Sequence, residues 1–169
     1  MPMALTVPAH VARRQRLPVP EARAFELLLD LPAWAALFPR VDAIEPLDGH
    51  PSDGSEGDLG AYRWTMTPMG PPGLELATVY ACHYTADRDA RRLVWSPVEG
   101  VGNARFSGTA DLTPDGDAAC TLALAIDAEL EIPAPRLLRR VVETAVHFEF
   151  GRTVDVFLGN VEARLAEGV

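Results

Sequence analysis

The sequence predicts an α+β protein in which a curved antiparallel sheet of about seven strands wraps around one long C-terminal helix. Three observations carry this. Residues 133–169 open on Pro133 and Pro135 and then run without proline to Gly168, with apolar residues at helical spacing: Leu138, Val142, Val146, Val154, Phe157, Leu158, Val161 and Leu165. At about 1.5 Å per residue this helix would be about 45 Å long, and so broad an apolar stripe must be covered along most of its length. Residues 61–127 switch to period-two alternation broken by turn signals. Two short helical segments precede them, and no internal repeat or linker divides the chain. These features predict one domain with a core of about residues 9–167 and a flexible N-terminus at 1–8.

Residues 9–17 (AHVARRQRL) are extended and arginine-rich, as expected of a strand with one wet face. Pro20 and Glu21 suit the first turn of a helix, whose apolar face is Ala24, Phe25, Leu28 and Leu29. Asp30 is placed to cap a second short helix containing Pro32, with Trp34, Leu37 and Phe38 as its buried side and Pro39 as its end. Val41, Ile44 and Leu47 suggest a short strand, and residues 48–60 read as a loop rich in Gly, Asp and Ser. The acids of that loop lack the spacing of an EF-hand, so a solvated loop is expected there.

Tyr62, Trp64 and Met66 then alternate with Arg63 and Thr65. A turn at residues 67–73 (TPMGPPG) leads to a strand with Leu74, Leu76, Thr78, Tyr80, Cys82 and Tyr84 on one side and Glu75 and His83 on the other. Met66 and Met69 offer an adaptable rim beside that turn. Leu93 and Trp95 share the face of the next strand; Phe106, Ala110 and Leu112 that of the following one. Pro114-Asp115-Gly116 is a hairpin signal, and Leu122, Leu124 and Ile126 complete the alternation. Within the terminal helix, Gly151 permits a bend or a close approach of a strand.

Composition bounds the function. The chain has 169 residues, 48% hydrophobic, with a net charge of −9; all 15 basic residues are arginine. The acidic balance, with only two short arginine groups (13, 14, 16 and 136, 139, 140), argues against a nucleic-acid partner. No apolar run approaches the roughly 20 residues of a membrane span, and no signal peptide is evident at residues 1–7. Cys82 and Cys120 lack metal or redox spacing and read as buried thiols of a cytoplasmic protein.

Two segments carry a resemblance to a known family. Residues 18–41 (PVPEARAFELLLDLPAWAALFPRV) and residues 105–116 (RFSGTADLTPDG) are similar to the opening helix pair and the penultimate strand and hairpin of the START-like superfamily, also called SRPBCC. That group includes Bet v 1-like allergens, lipid-transfer START domains, polyketide cyclase/dehydrase proteins and Hsp90-activating domains. The resemblance implies the helix-grip fold, with a cavity between sheet and C-terminal helix. Since members share architecture while their activities differ, it does not settle function.

The chemistry-bearing residues form no established catalytic or metal constellation. His10, His50, His83 and His147 fit no HxH, HExxH or His-Cys pattern, and no nucleophile elbow, P-loop or dinucleotide fingerprint occurs. No metal and no cofactor is therefore expected. Glu143 and His147, four apart, read as a surface pair. Glu149, Arg152 and Asp155 form either a surface ladder or, if Arg152 points into the cleft, a binder of a ligand carboxylate or phenolate. Given the helix-grip resemblance, Tyr62, Trp64, Met66, Tyr80, Trp95 and Phe106 on strands, with Phe148 and Arg152 on the helix, are the expected ligand-binding set; core packing is the alternative for the aromatic residues. The first expectation is the binding of a small hydrophobic molecule of lipid, polyketide or isoprenoid type. The second is a metal-free aromatase/cyclase- or dehydratase-like enzyme using Arg152, Tyr80 and Arg63. The third is a protein-interaction or Hsp90-activator-like stress domain.

Overall fold

The computed structural model describes residues 4–68 and 76–167. Seven strands form one antiparallel sheet: β1 (Leu5–Leu17), β2 (Val41–Pro46), β3 (Asp58–Met66), β4 (Val79–Asp87), β5 (Arg92–Pro97), β6 (Ala104–Pro114) and β7 (Cys120–Ile132). Their order is β1-β7-β6-β5-β4-β3-β2, so the long connection from β1 to β2 spans the sheet and every later strand is a hairpin neighbour of the last. That connection holds helix α1 (Glu21–Leu29) and a 3₁₀ segment, Leu31–Ala36. Helix α2 (Arg139–Glu167) closes the chain.

The expected element order is thus found, with local corrections. β1 starts at Leu5, and residues 5–8 pair with residues 129–132 of β7; Leu5 and Val7 are buried there, so these residues are not a flexible leader. The second helix is a 3₁₀ turn, and Asp30 precedes it without a side-chain capping bond. Of the expected turn at 67–73 and the strand start after it, residues 69–75, with Met69, Leu74 and Glu75, lie outside the described residues.

Alternation sets the layers. On β7, Cys120, Leu122, Leu124, Ile126 and Ala128 are buried on the concave face, as period two requires. Against that face pack Ala24, Phe25 and Leu28 of α1, Leu31 and Trp34, and Val154, Phe157, Leu158, Val161 and Leu165 of α2. Polar ties fix α2 to β1 and the 3₁₀ segment: Arg13 Nε donates to Asp155 at 2.8 Å, Gln15 to Glu162 at 2.7 Å, and Asn160 Nδ2 to the Leu37 carbonyl at 2.7 Å. Gly151 is buried beside Arg13, where an added Cβ would lie 3.3 Å from the guanidinium.

Candidate ligand-binding cavity

Trp34 organises the interior. Its indole N–H donates to the Leu28 carbonyl at 3.1 Å, which fixes the ring. Around it stand Trp64, Tyr84 and Trp95, all edge-on with centroids 5.9–6.4 Å away, and Phe157 at 5.2 Å. Phe38 stacks on Phe157 at 4.0 Å. On one side of this aromatic floor, α2 meets the sheet. On the other it does not, and a cavity of about 560 Å³ remains.

Each wall follows from its element. β3 and β4 contribute Trp64, Met66, Tyr80 and Tyr84; β5 and β6 contribute Trp95 and Phe106. Ile126, Ala128, Leu130 and Ile132 continue the inward alternation of β7 into the cavity. Helix α2 presents Val142, Ala145, Val146, Glu149, Phe150 and Thr153, and Arg40 lies at the rim. Gly108 sits opposite Trp95 in the sheet register, and an added Cβ would fall 2.4 Å from the Trp95 ring. A strand glycine here lets a tryptophan lie across the neighbouring strand.

The rings form a ladder: Trp64 stacks on Tyr80 at 5.5 Å and Tyr80 on Phe106 at 4.1 Å, with Phe150 edge-on to Phe106 at 5.9 Å. Beneath it, Trp64 Nε1 donates to the Tyr84 hydroxyl at 2.8 Å, and the Cys82 thiol donates to the Phe106 carbonyl at 3.2 Å. Burial pushes the Tyr80 and Tyr84 hydroxyls well above the usual tyrosine range and the Cys82 thiol up to about 12. All three stay protonated near neutral pH. Tyr80 lines the cavity with 7% of its surface exposed, and among the described residues nothing hydrogen-bonds its hydroxyl.

Of the sequence-derived set, Trp64, Met66, Tyr80, Trp95 and Phe106 come together on the cavity wall. Tyr62 lies outside it, half-buried, 6.0 Å edge-on from the Tyr84 ring. Phe148 and Arg152 are corrected: Phe148 is 67% exposed, and Arg152 is exposed and paired with Glu149 Oε2 at 3.4 Å. They are four residues apart and share a helix face, while the lining residues 142, 146, 149 and 153 occupy another. Phe150 is the helix aromatic that faces inward. Trp34 and Phe38, read from sequence as the buried side of the second helix, serve also as floor and wall, and Tyr84, on the strand face of Tyr80, joins them.

The remaining polar groups lie elsewhere. Arg63 is exposed; Arg105 pairs with Glu129 at 3.3 Å and with Glu99. Glu143 pairs with Arg139 rather than His147, whose Nε2 bonds the Pro8 carbonyl at 3.0 Å. On the outer sheet face His10, Asp127 and Ser107 are in register across three strands. His10 meets Asp127 at 2.7 Å, but the carboxylate stands between imidazole and hydroxyl, the wrong order for a Ser-His-Asp relay. In the acidic loop, Asp58 accepts from the Asp53 and Gly60 amides at 2.7 and 3.1 Å and meets His83 Nε2 at 2.5 Å, contacts that hold its carboxyl at about 2. Among the described residues no three His, Cys, Asp or Glu side chains are grouped to hold a metal ion, and no helix is long and apolar enough to cross a membrane.

The fold has solved counterparts. Zhui aromatase/cyclase from Streptomyces sp. R1128 is similar with a TM-score of 0.68 at 17% identity, covering 94% of each chain. A START superfamily protein from Mycobacterium smegmatis gives 0.65 at 13%, covering 95% of this chain and 99% of that one. Norcoclaurine synthase from Thalictrum flavum gives 0.60 at 15%, covering 96% and 88%. At these identities the likeness is one of fold, the helix-grip arrangement of the START and Bet v 1-like proteins. No curated protein matches the chain. Its sequence does match one family description, polyketide cyclase / dehydrase and lipid transport, over residues 8–166, and the chain belongs to that family.

Proposed function

We propose that this protein binds a small, planar hydrophobic molecule carrying a carbonyl or phenolic oxygen in the cavity between the sheet and α2. One observation carries the reading: an apolar space of about 560 Å³ is walled by stacked rings, and the Tyr80 hydroxyl at its wall has no partner among the described residues. Apolar burial supplies affinity at about 25 cal/mol per Å², before the costs of ordering. Flat rings match the Trp64–Tyr80–Phe106 ladder, and the protonated Tyr80 hydroxyl donates to the ligand oxygen. Two buried, unpaired thiols support a cytoplasmic site of action.

All three tryptophans, Trp34, Trp64 and Trp95, line the cavity, so their fluorescence reads occupancy. Titration with acetylnaphthalene and with naphthalene is expected to quench it, the ketone binding more tightly. Tyr80→Phe should lower affinity for the ketone by about fivefold, the equivalent of one hydrogen bond of about 1 kcal/mol, and leave naphthalene unchanged. Absence of quenching by either compound would refute the reading.

A second reading, a metal-free cyclase- or dehydratase-like enzyme, is favoured by the same hydroxyl. A donor kept protonated can polarise a carbonyl as a neighbouring carbon loses a proton. Of the candidates Arg152, Tyr80 and Arg63, Tyr80 is the one among the cavity-lining residues, and Glu149, which pairs with Arg152, is the carboxylate of that lining. Turnover of a reactive polyketone chain that survives Tyr80→Phe undiminished would eliminate this assignment.

A further inference from the structure

Four of the six large hydrophobic side chains exposed among the described residues fall within twelve positions of one another: Leu137 at 97%, Leu138 at 47%, Val141 at 67% and Phe148 at 67%. Leu137, in the 3₁₀ turn Arg136–Leu138 that leads into α2, and Val141 and Phe148 of α2 itself are spaced by four and seven and form one stripe. The other side of the same turns, Val142, Ala145 and Val146, lines the cavity. This segment carries apolar side chains on two faces, one lining the cavity and the other, Leu137, Val141 and Phe148, open to solvent, and an exposed apolar stripe calls for cover. Three of the chain's 15 arginines, Arg136, Arg139 and Arg140, stand at its beginning in a protein of net charge −9. Arg139 is engaged with Glu143 at 3.2 Å, while Arg136 and Arg140 are exposed.

We propose that this ridge, Leu137, Val141 and Phe148 flanked by Arg136 and Arg140, docks on an anionic lipid surface. Apolar tips beside arginines match the acyl boundary and its phosphate layer. The acidic remainder of the protein is repelled by such a surface, and in the other arginine group Arg13 is tied to Asp155 and Arg16 to Asp115. A second copy would cover the apolar stripe but offers Arg136 and Arg140 no anion on the stripe itself, whereas a phosphate layer does. Nor is the ridge a groove that would shape itself to a protein segment. Docking here gives the cavity's guest a source, and for that purpose it rests on the ligand-binding reading.

Vesicle flotation with the full chain tests the docking without any ligand. Binding is expected to vesicles of phosphatidylcholine mixed with phosphatidylglycerol, to fall for phosphatidylcholine alone, and to be released by salt. Arg136→Gln and Arg140→Gln should each lower partition about fivefold, and Leu137→Ser with Val141→Ser at least about tenfold. All four positions are exposed, so the variants keep the fold. No flotation with mixed vesicles, flotation equal in variants and wild type, or a stripe-dependent dimer in sedimentation without vesicle binding would each overturn the proposal. Acetylnaphthalene quenching on the same variants separates the two readings: flotation retained without quenching supports docking and removes the cavity reading.

Discussion

The two halves of α2 meet the same sheet in opposite ways. From Gly151 onward, Val154, Phe157, Leu158, Val161 and Leu165 are all buried, and side-chain bonds to Arg13, Gln15 and Leu37 lock the helix in place. From Arg139 to Phe150 no residue is buried; the ties to β1 are polar, His147 and Arg139 reaching the Pro8 and Thr6 carbonyls. Trp34 marks the boundary. Its ring fills the space beside Phe157, and the space beyond it is left to the cavity. One element therefore supplies both a foundation and a wall, and stability and binding are assigned to different residues of it.

The largest expected effect is in the packed half. Phe157→Ala should cost about 3–5 kcal/mol in denaturant unfolding, while Phe148→Ala in the other half should stay within about 0.5 kcal/mol. Equal losses would erase the distinction. Next, Val146→Phe fills the cavity from the helix side. It should reduce acetylnaphthalene affinity at least about tenfold and leave stability unchanged or raised by about 0.5–2 kcal/mol; a large loss of stability would mean that the first half is packed after all.

Titration sharpens the comparison at a finer scale. Cys82, Tyr80 and Tyr84, under the cavity wall, have pKa values raised in the folded state, so their unfolded forms release protons first. Stability should therefore be intact below the unfolded thiol value of 9.0 and fall as pH rises through 9 and 10, and Tyr80→Phe should make that fall shallower. Asp58, remote from the cavity, has the opposite sign. Its lowered carboxyl contributes stability above the ordinary value of 3.8, and the contribution is lost as pH falls toward about 2. Asp58→Asn should flatten the acid limb alone, as read by unfolding at stepped pH.

The architecture was legible in the sequence because its signals are local: Pro20 and Pro135 before helices, period-two strands, the Pro114-Asp115-Gly116 hairpin. The strand residues Trp64, Met66, Tyr80, Trp95 and Phe106 were legible too, since inward positions alternate, but alternation alone does not say where along β3 the cavity ends, and Tyr62 falls beyond it. The helix was harder. Adjacent helical residues point about 100° apart, so choosing Phe148 over Phe150 required knowing the rotation of α2 against the sheet, which the Arg13–Asp155 and Asn160–Leu37 contacts set. The residues at 142, 146, 149 and 153 continue one inward stripe, from which Phe148 and Arg152 are excluded. Trp34 was recognised as buried, but that it divides the core from the cavity depends on tertiary neighbours far apart in the chain.

Amide hydrogen exchange along α2, with and without acetylnaphthalene, tests most directly the claim that its first half walls a cavity able to accept a guest. Residues 142–150 should exchange markedly faster than residues 154–165 in the free protein, and the ligand should slow the first group while leaving the second unchanged. Uniform protection along the free helix, or a ligand that slows only residues 154–165, would contradict the account.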